Sequence, residues 1–156
     1  MIDICELQIG DWIYFKAETP KPCKVVSLEG GWGDMLIRQS LTNTFYSDAC
    51  FDPIPITPQI LLDWGFKEIG TMKELGKCSD REFVYNDERG RRLVYVVFFG
   101  NRKGTEIMIK IETRNAQKDG VNYMHNCDMK YVHQLQHALC LNGLCNIAYN
   151  LNLQKV

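Results

Sequence analysis

The side chains with the greatest capacity for chemistry lie together in the late segment 128–144, DMKYVHQLQHALCLNGL. His133 and His137 are four residues apart, which in an α-helix places them one turn above each other. Cys140 follows on the same side. Two imidazoles and a thiolate are ligands that zinc accepts in proteins. The spacing therefore allows a zinc site, with a fourth ligand from one of three further residues: His125, Cys127 or Cys145.

The pentapeptide HQLQH at 133–137 is similar to the H-E-x-x-H motif of zinc peptidases, in which a glutamate between the histidines activates water. Gln134 stands where that glutamate would be, and an amide cannot take up a proton near neutral pH. A metal-dependent hydrolase is therefore less favoured than a zinc-binding protein. The sequence favours a protein that is not an enzyme, and zinc is the one cofactor it leaves open.

The same segment is predicted to form an amphipathic helix. At about 100° per residue, its apolar and polar side chains fall on opposite sides. The predicted core side carries Tyr131, Val132, Leu135, Ala138 and Leu139, and the polar side carries His133, Gln136, His137 and Cys140. Asp128 is the expected N-cap. Gly143 is expected to end the helix in the left-handed conformation.

The polar side of this helix lacks the lysines and glutamates of a solvated surface, apart from Lys130 near its start. The favoured interpretation is that its histidines and glutamines are covered and hydrogen-bonded to a neighbouring strand or loop. The alternative is a ligand or partner site that uses His133, Gln136 and His137.

The first fifty residues predict short strands separated by turns. We expect the strands at 11–15, 23–28, 35–38 and 44–46, with the prolines of 18–22 in a turn. The opening LQIGDWIYF, followed by a KVV strand, resembles a small SH3-like β-barrel. Aromatic residues of this unit could form a binding platform or simply fill the barrel. They are Trp12, Tyr14 and Trp32.

The prolines of the segment DPIPITP (52–58) predict a boundary between a unit at 1–52 and an α+β unit at 53–156. Thr57 should cap a short helix that Gly65 ends. The strands expected next are a hairpin of 82–85 with 93–99, followed by 107–112 and 121–124. A closing strand is expected at 147–154. The fold class predicted is α+β, with both helices packed on one face of an antiparallel sheet.

Basic residues concentrate in two turns of the predicted sheet: Arg89, Arg91, Arg92, Arg102 and Lys103. As a function, they would contact phosphates of a nucleic acid. As solvated turn charges, they would have no partner. The net charge of −1 favours the second interpretation, because it argues against a general nucleic-acid-binding protein.

The composition is that of a globular chain, with 46% hydrophobic and 24% charged residues among 156. No apolar run reaches the ~18 residues that a membrane span needs, so no membrane partner is expected. The seven cysteines are irregularly spaced and are expected to be reduced. The N-terminal MIDICELQIGDW has acidic residues where a signal peptide has basic ones. These features predict a cytoplasmic protein.

The segments PIPITPQILLDWGF and YVHQLQHALCLNGL, together with the IGDW opening, resemble a family of small uncharacterised proteins. Those proteins are carried by gut bacteria and by their phages and mobile elements, and have a PIPLTPEIL…GF segment before a YVHQLQHAL helix. The resemblance covers about a third of the chain and brings no catalytic residues. It implies an accessory protein that acts by binding a protein, a nucleotide or a nucleic acid.

Overall fold

The computed structural model describes residues 4–30, 35–40, 44–72, 80–86, 92–101, 104–111, 124–125 and 129–153. These residues form an α+β fold, as predicted, with two antiparallel sheets and short helices. Among them, no helix is both long and apolar enough to cross a membrane.

The N-terminal sheet contains the strands expected from the sequence and one more. Its strands are β1 (Trp12–Phe15), β2 (Lys21–Gly30), β3 (Met35–Gln39), β4 (Phe45–Ser47) and β5 (Phe51–Pro53). Their order is β4-β3-β2-β1-β5. A 3-10 turn, Ile4–Glu6, precedes β1, and a second, Asp48–Cys50, leads into β5. Among the described residues no pairing of β4 with β5 closes this sheet into a barrel.

Strand β2 begins earlier than predicted because it accommodates Pro22. Pro22 is paired with Tyr14 of β1, whereas β2 meets β3 only from Val25 onwards. At Pro22 the strand therefore has a neighbouring strand on one side only. On the open side, the N–H that proline lacks would have had no strand to pair with. A register shift between Val25 and Ser27 separates the two halves of β2. The apolar side chains of this sheet form their own core: Leu7, Ile13, Cys23, Val25, Ile37 and Phe51.

The proline-rich segment after β5 is hydrogen-bonded rather than free. Strand β5 reaches Pro53, one residue beyond the predicted boundary, and pairs there with Ile13. The Ile56 N–H then donates to the Lys130 carbonyl at 2.9 Å, and the Val132 N–H donates to the Ile54 carbonyl at 2.9 Å. This segment therefore attaches to the residues that begin the late helix.

The short helix α1 (Pro58–Asp63) forms as predicted. The Thr57 hydroxyl accepts the Ile60 N–H at 3.2 Å, which satisfies a donor that the first turn leaves free. Gly65 has a φ of 96°, and the Phe66 N–H closes the end of the helix on the Leu61 carbonyl at 2.9 Å.

The second sheet contains β6 (Lys67–Met72), β7 (Asp80–Asn86), β8 (Arg92–Asn101), β9 (Gly104–Ile111) and β10 (Met124–His125), in the order β10-β9-β8-β7-β6. The predicted hairpin is the β7–β8 pair. Strand β6 was not predicted, because its sequence KEIGTM contains glycine, threonine and charged residues and has no clear alternation of apolar and polar side chains. Of the strand expected at 121–124, only Met124 lies among the described residues.

The main core lies between this sheet and the helices. Ile60 and Leu61 of α1 and Val132, Leu135 and Leu139 of α2 (Val132–Leu141) are buried in one cluster with sheet residues. The residues of this sheet in the cluster are Phe83, Val94, Val96 and Phe98. They lie on one face of the sheet, because Phe83 of β7 pairs with Val96 of β8, and the other two are alternate residues of β8. The prediction that both helices pack on one face of the sheet is therefore confirmed for these residues.

The predicted C-terminal end of α2 agrees with the structure, whereas its predicted N-cap and the strand predicted after it do not. Gly143 has a φ of 76° and ends the helix as expected. Tyr131 is the N-cap residue, so the prediction of Asp128 as the N-cap is wrong; Asp128 itself lies outside the described residues. The closing strand predicted at 147–154 is wrong, because Cys145–Asn150 forms helix α3. Its apolar spacing also fits a helix, with Ile147, Ala148 and Leu151 buried and Tyr149 exposed.

Two glycines with positive φ provide a matched test of this arrangement. A Cβ on Gly10 (φ 98°) would lie 2.8 Å from Cε1 of Tyr149 in α3, whereas a Cβ on Gly143 (φ 76°) would meet nothing within 4 Å. We expect Gly143→Ala to lower the free energy of unfolding by about 1–2 kcal/mol through backbone strain alone. Gly10→Ala should cost about 1 kcal/mol more, because Tyr149 must also move. Chemical denaturation measures both, and equal losses would contradict the close approach.

Candidate functional site

The polar side of α2 is covered by the segment that enters β1, and we call this contact between residues 6–12 and α2 the seam. Gln136 lies at its centre and is 1% exposed. Its Oε1 accepts the Trp12 backbone N–H at 3.0 Å, and its Nε2 donates to the Ala148 carbonyl at 3.2 Å and the Gly10 carbonyl at 3.4 Å. One amide therefore holds the start of β1, helix α2 and helix α3 together.

His137 is joined to a buried carboxylate. Its Nε2 lies 2.8 and 2.9 Å from the two carboxylate oxygens of Asp11, which is fully buried. A carboxylate only accepts hydrogen bonds, so the imidazole donates. The Gln8 N–H donates to the same carboxylate at 2.7 Å. Burial raises the pKa of Asp11, and the hydrogen bonds from Gln8 and His137 oppose this without cancelling it.

His133 differs from its neighbours on the helix. It is 0% exposed, and neither ring nitrogen has a hydrogen-bond partner among the described residues. Its Nε2 lies 3.5 Å from Oε2 of Glu6, close enough for an ion pair but without hydrogen-bond geometry. The ring stacks on Tyr131 with centroids 5.9 Å apart. Burial lowers the pKa of His133, against the attraction of the Asp11 and Glu6 carboxylates.

Of the three residues considered as zinc ligands on α2, the two histidines lie close together, whereas Cys140 is not grouped with them. His133 and His137 face the seam, with ring centroids 6.0 Å apart. Burial and a hydrogen bond with Cys145 raise the pKa of Cys140 to about 11, so its sulfur is a thiol at neutral pH. Among the described residues, no three His, Cys, Asp or Glu side chains are grouped so that they could hold a metal ion.

The proposed aromatic platform is not assembled at Trp12. This residue is 1% exposed and belongs to the main core, with its indole N–H donating to the Leu151 carbonyl at 3.0 Å. Tyr14 is half-buried against the same core, and Trp32 lies outside the described residues. Trp12 also meets a cavity of about 330 Å³ between the sheet and α3, where the Lys24 ammonium sits 5.0 Å from its ring centroid.

The basic residues considered for nucleic-acid binding fall almost entirely beyond what the structure describes. Arg92 begins β8, and only its backbone is described. The other four residues lie outside the described ranges: Arg89, Arg91, Arg102 and Lys103.

A surface groove runs beside the seam, and His137 is the one predicted site residue among those that line it. It encloses about 510 Å³ and lies between the segment around the first 3-10 turn and α2. Its lining residues are Cys5, Glu6, Gln8, Met129, Gln134, His137, Ala138 and Leu141. Leu141 is 87% exposed, an unusual fraction for a leucine. The available signal was this apolar residue four positions after His137, on the side predicted to be polar.

No protein-family model matches the chain, and neither the curated proteins nor the solved structures include a significant match to it.

Replacing Gln136 tests whether the seam depends on its amide. Gln136→Leu has a similar volume but leaves the Trp12 N–H and the Gly10 and Ala148 carbonyls without their partner. We expect the free energy of unfolding to fall by about 2–4 kcal/mol, the cost of buried polar groups without hydrogen bonds. The control is Gln59→Leu in α1, where an exposed glutamine bonds only Asp63 in the structure. That change should cost no more than about 0.5 kcal/mol, and equal losses would remove the special role of Gln136.

Proposed function

We propose that this protein is a non-enzymatic binding protein that holds a polypeptide segment of a partner protein in the groove beside α2. The observation that carries the proposal is Leu141, which is 87% exposed at the edge of a groove of about 510 Å³. Exposed large apolar side chains next to a concave surface are typical of protein-binding sites.

The other residues that line the groove indicate which kind of peptide segment would bind there. Met129, Ala138 and Leu141 supply an apolar surface on the α2 side. Glu6 supplies a carboxylate on the opposite side, and its side chain is 53% exposed. A segment with an apolar side chain beside a lysine or arginine fits both features. Phosphates of a nucleotide or nucleic acid would be repelled by Glu6, so the groove favours a polypeptide among the partners considered.

The polar side chains of α2 are already bonded inside the protein, which favours the groove over the polar side of the helix as the binding surface. Gln136 and the Asp11–His137 pair are used inside the seam, where they position the two walls. A ligand would have to break these contacts to reach Gln136 or Asp11, whereas the partly exposed side chain of His137 already lines the groove. The groove needs no such change, because its wall residues Glu6 and Leu141 are already exposed.

We also infer that the N-terminal sheet is a small SH3-like barrel. The supporting observations are the pairing of β5, β1 and the first half of β2, and of the second half of β2 with β3 and β4, together with the 3-10 turn before β5.

The setting we propose is that of a cytoplasmic accessory protein of a phage or mobile element. The support is the sequence resemblance and the free thiols of Cys5, Cys23, Cys50, Cys140 and Cys145.

A random peptide library displayed on phage tests the binding proposal without a known partner. We expect the purified full chain to enrich peptides that combine a large apolar residue with lysine or arginine. Affinities of the synthetic peptides are then measured by calorimetry. Leu141→Asp should weaken binding at least about tenfold while leaving stability nearly unchanged, because the side chain is exposed. Glu6→Lys should weaken the same peptides through charge repulsion.

The matched control is Leu62→Asp, which alters an exposed leucine near the end of α1 that does not line the groove. It should leave the peptide affinities unchanged. The proposal is wrong if no peptide is enriched, or if Leu141→Asp and Leu62→Asp bind the enriched peptides as tightly as the wild type. Binding of RNA or DNA oligonucleotides that is insensitive to Leu141→Asp would favour the nucleic-acid alternative.

A further inference from the structure

His133 is the residue of the seam whose ring nitrogen atoms are buried without a hydrogen bond to another described residue, although the Glu6 carboxylate lies 3.5 Å from Nε2. Gln136 and His137, on the same side of α2, both have partners. His133 is equally deep, yet neither Nδ1 nor Nε2 has a hydrogen bond. A buried polar group without a partner costs stability, and such groups are uncommon enough to need a physical explanation.

The charged and titratable groups around His133 come from each element that faces it. The 3-10 turn supplies Glu6, and the turn before β1 supplies Asp11. Its own helix supplies His137, and the phenol ring of Tyr131 stacks on it. A neutral imidazole is tolerated in this position. An imidazolium would lose its hydration, and although two carboxylates attract it, desolvation is the larger effect.

We propose that the seam is an acid-sensitive contact, in which protonation of His133 separates residues 6–12 from α2. The two sides of the seam are also the two walls of the groove, with Glu6 and Gln8 on one side and Ala138 and Leu141 on the other. Opening the seam would therefore pull the groove apart. Acid-triggered release of a bound peptide rests on the proposed function, whereas the opening itself does not.

The direction of the effect follows from proton linkage. The pKa of His133 is lowered in the closed seam from an ordinary value of 6.5. Opening therefore takes up one proton at pH values between the closed-seam pKa and 6.5. The stability that neutral His133 provides is complete above pH 6.5 and is lost as the pH falls through that value. Over this window the opening equilibrium constant should rise by up to about tenfold per pH unit.

Asp11 acts in the opposite direction and must be separated from His133. Its pKa is raised in the folded protein, so the folded state holds a proton that the unfolded state has already lost. Acidification through that range therefore favours the closed seam. A comparison at each pH between the wild type and a variant that lacks the His133 imidazole keeps Asp11 in both proteins, and the variant loses only the attraction of His133, the smallest of the causes that act on the Asp11 pKa.

Amide hydrogen exchange measured by NMR between pH 7.5 and 5.0 tests the proposal on the full chain. The reporter is the Trp12 backbone N–H, which is bonded to Gln136 across the seam. After correction for the intrinsic exchange rate, its protection in the wild type should fall as the pH drops below 6.5. Amides in the paired centre of β7 and β8, such as Val84 and Val96, report global unfolding and should keep greater protection.

Two variants separate the charge from the shape of His133. His133→Phe keeps a ring against Tyr131 but cannot be protonated, so the extra loss of Trp12 protection below pH 6.5 should disappear. Glu6→Gln removes an attractive carboxylate 3.5 Å from Nε2, so a protonated His133 becomes less favourable and the loss at pH 5 should increase. A purely structural role for His133 would show neither effect.

The proposal is overturned if Trp12 protection in the wild type is independent of pH, or if His133→Phe retains the same pH dependence. Should His133→Phe fail to fold, the 15N shifts of the wild-type imidazole give the answer directly. Titration of His133 at or above 6.5 would refute the proposal, and titration below it would support it. Seam opening at low pH in a chain that binds no peptide would leave this inference intact and overturn only the proposed function.

Discussion

The fold depends on the side-chain amide of Gln136, which joins α2 to α3 and to the segment that enters β1. Its two polar atoms are bonded to backbone groups before β1, at the start of β1 and in α3. Because these bonds lie in the interior, where water cannot replace them, an error in the position of any one part leaves a polar group unsatisfied. The amide therefore fixes how the N-terminal sheet lies on the helices, whereas apolar packing alone would allow them to slide.

Two indole groups extend this arrangement along the last segment of the chain. The Trp12 indole N–H donates to the Leu151 carbonyl, and the Trp64 indole N–H donates to the Ile147 carbonyl at 2.8 Å. Both tryptophans also bury their rings in the main core. The region around α3 is thus held by a tryptophan of β1 and by the tryptophan that ends α1, so its six-residue helix does not rely on its own weak helical tendency.

The sequence predicted the elements whose signals are local. Thr57, Pro58 and Gly65 mark α1 within a few residues, and the continuous apolar run of β8 marks a central strand. The covered polar side of α2 was also predicted, from its lack of lysine and glutamate. The partners in the seam were not, because Trp12 and Gln136 are 124 residues apart and nothing local connects them. The sequence predicts a strand where α3 forms because the apolar positions 147 and 151 fit both periods, and only burial against the tryptophans selects the helix.

The separation of the seam partners along the chain has a consequence for synthesis. Trp12 emerges from the ribosome 124 residues before Gln136, and Asp11 emerges 126 residues before His137. Until then, a carboxylate and an indole that the finished protein buries completely have no cover from α2. The N-terminal sheet can pair its strands early, since Ile13, Cys23 and Phe51 form a core of their own. Its attachment to α2 and α3 is nevertheless delayed until these two helices have been released, and a chain that stops before residue 129 would never make it.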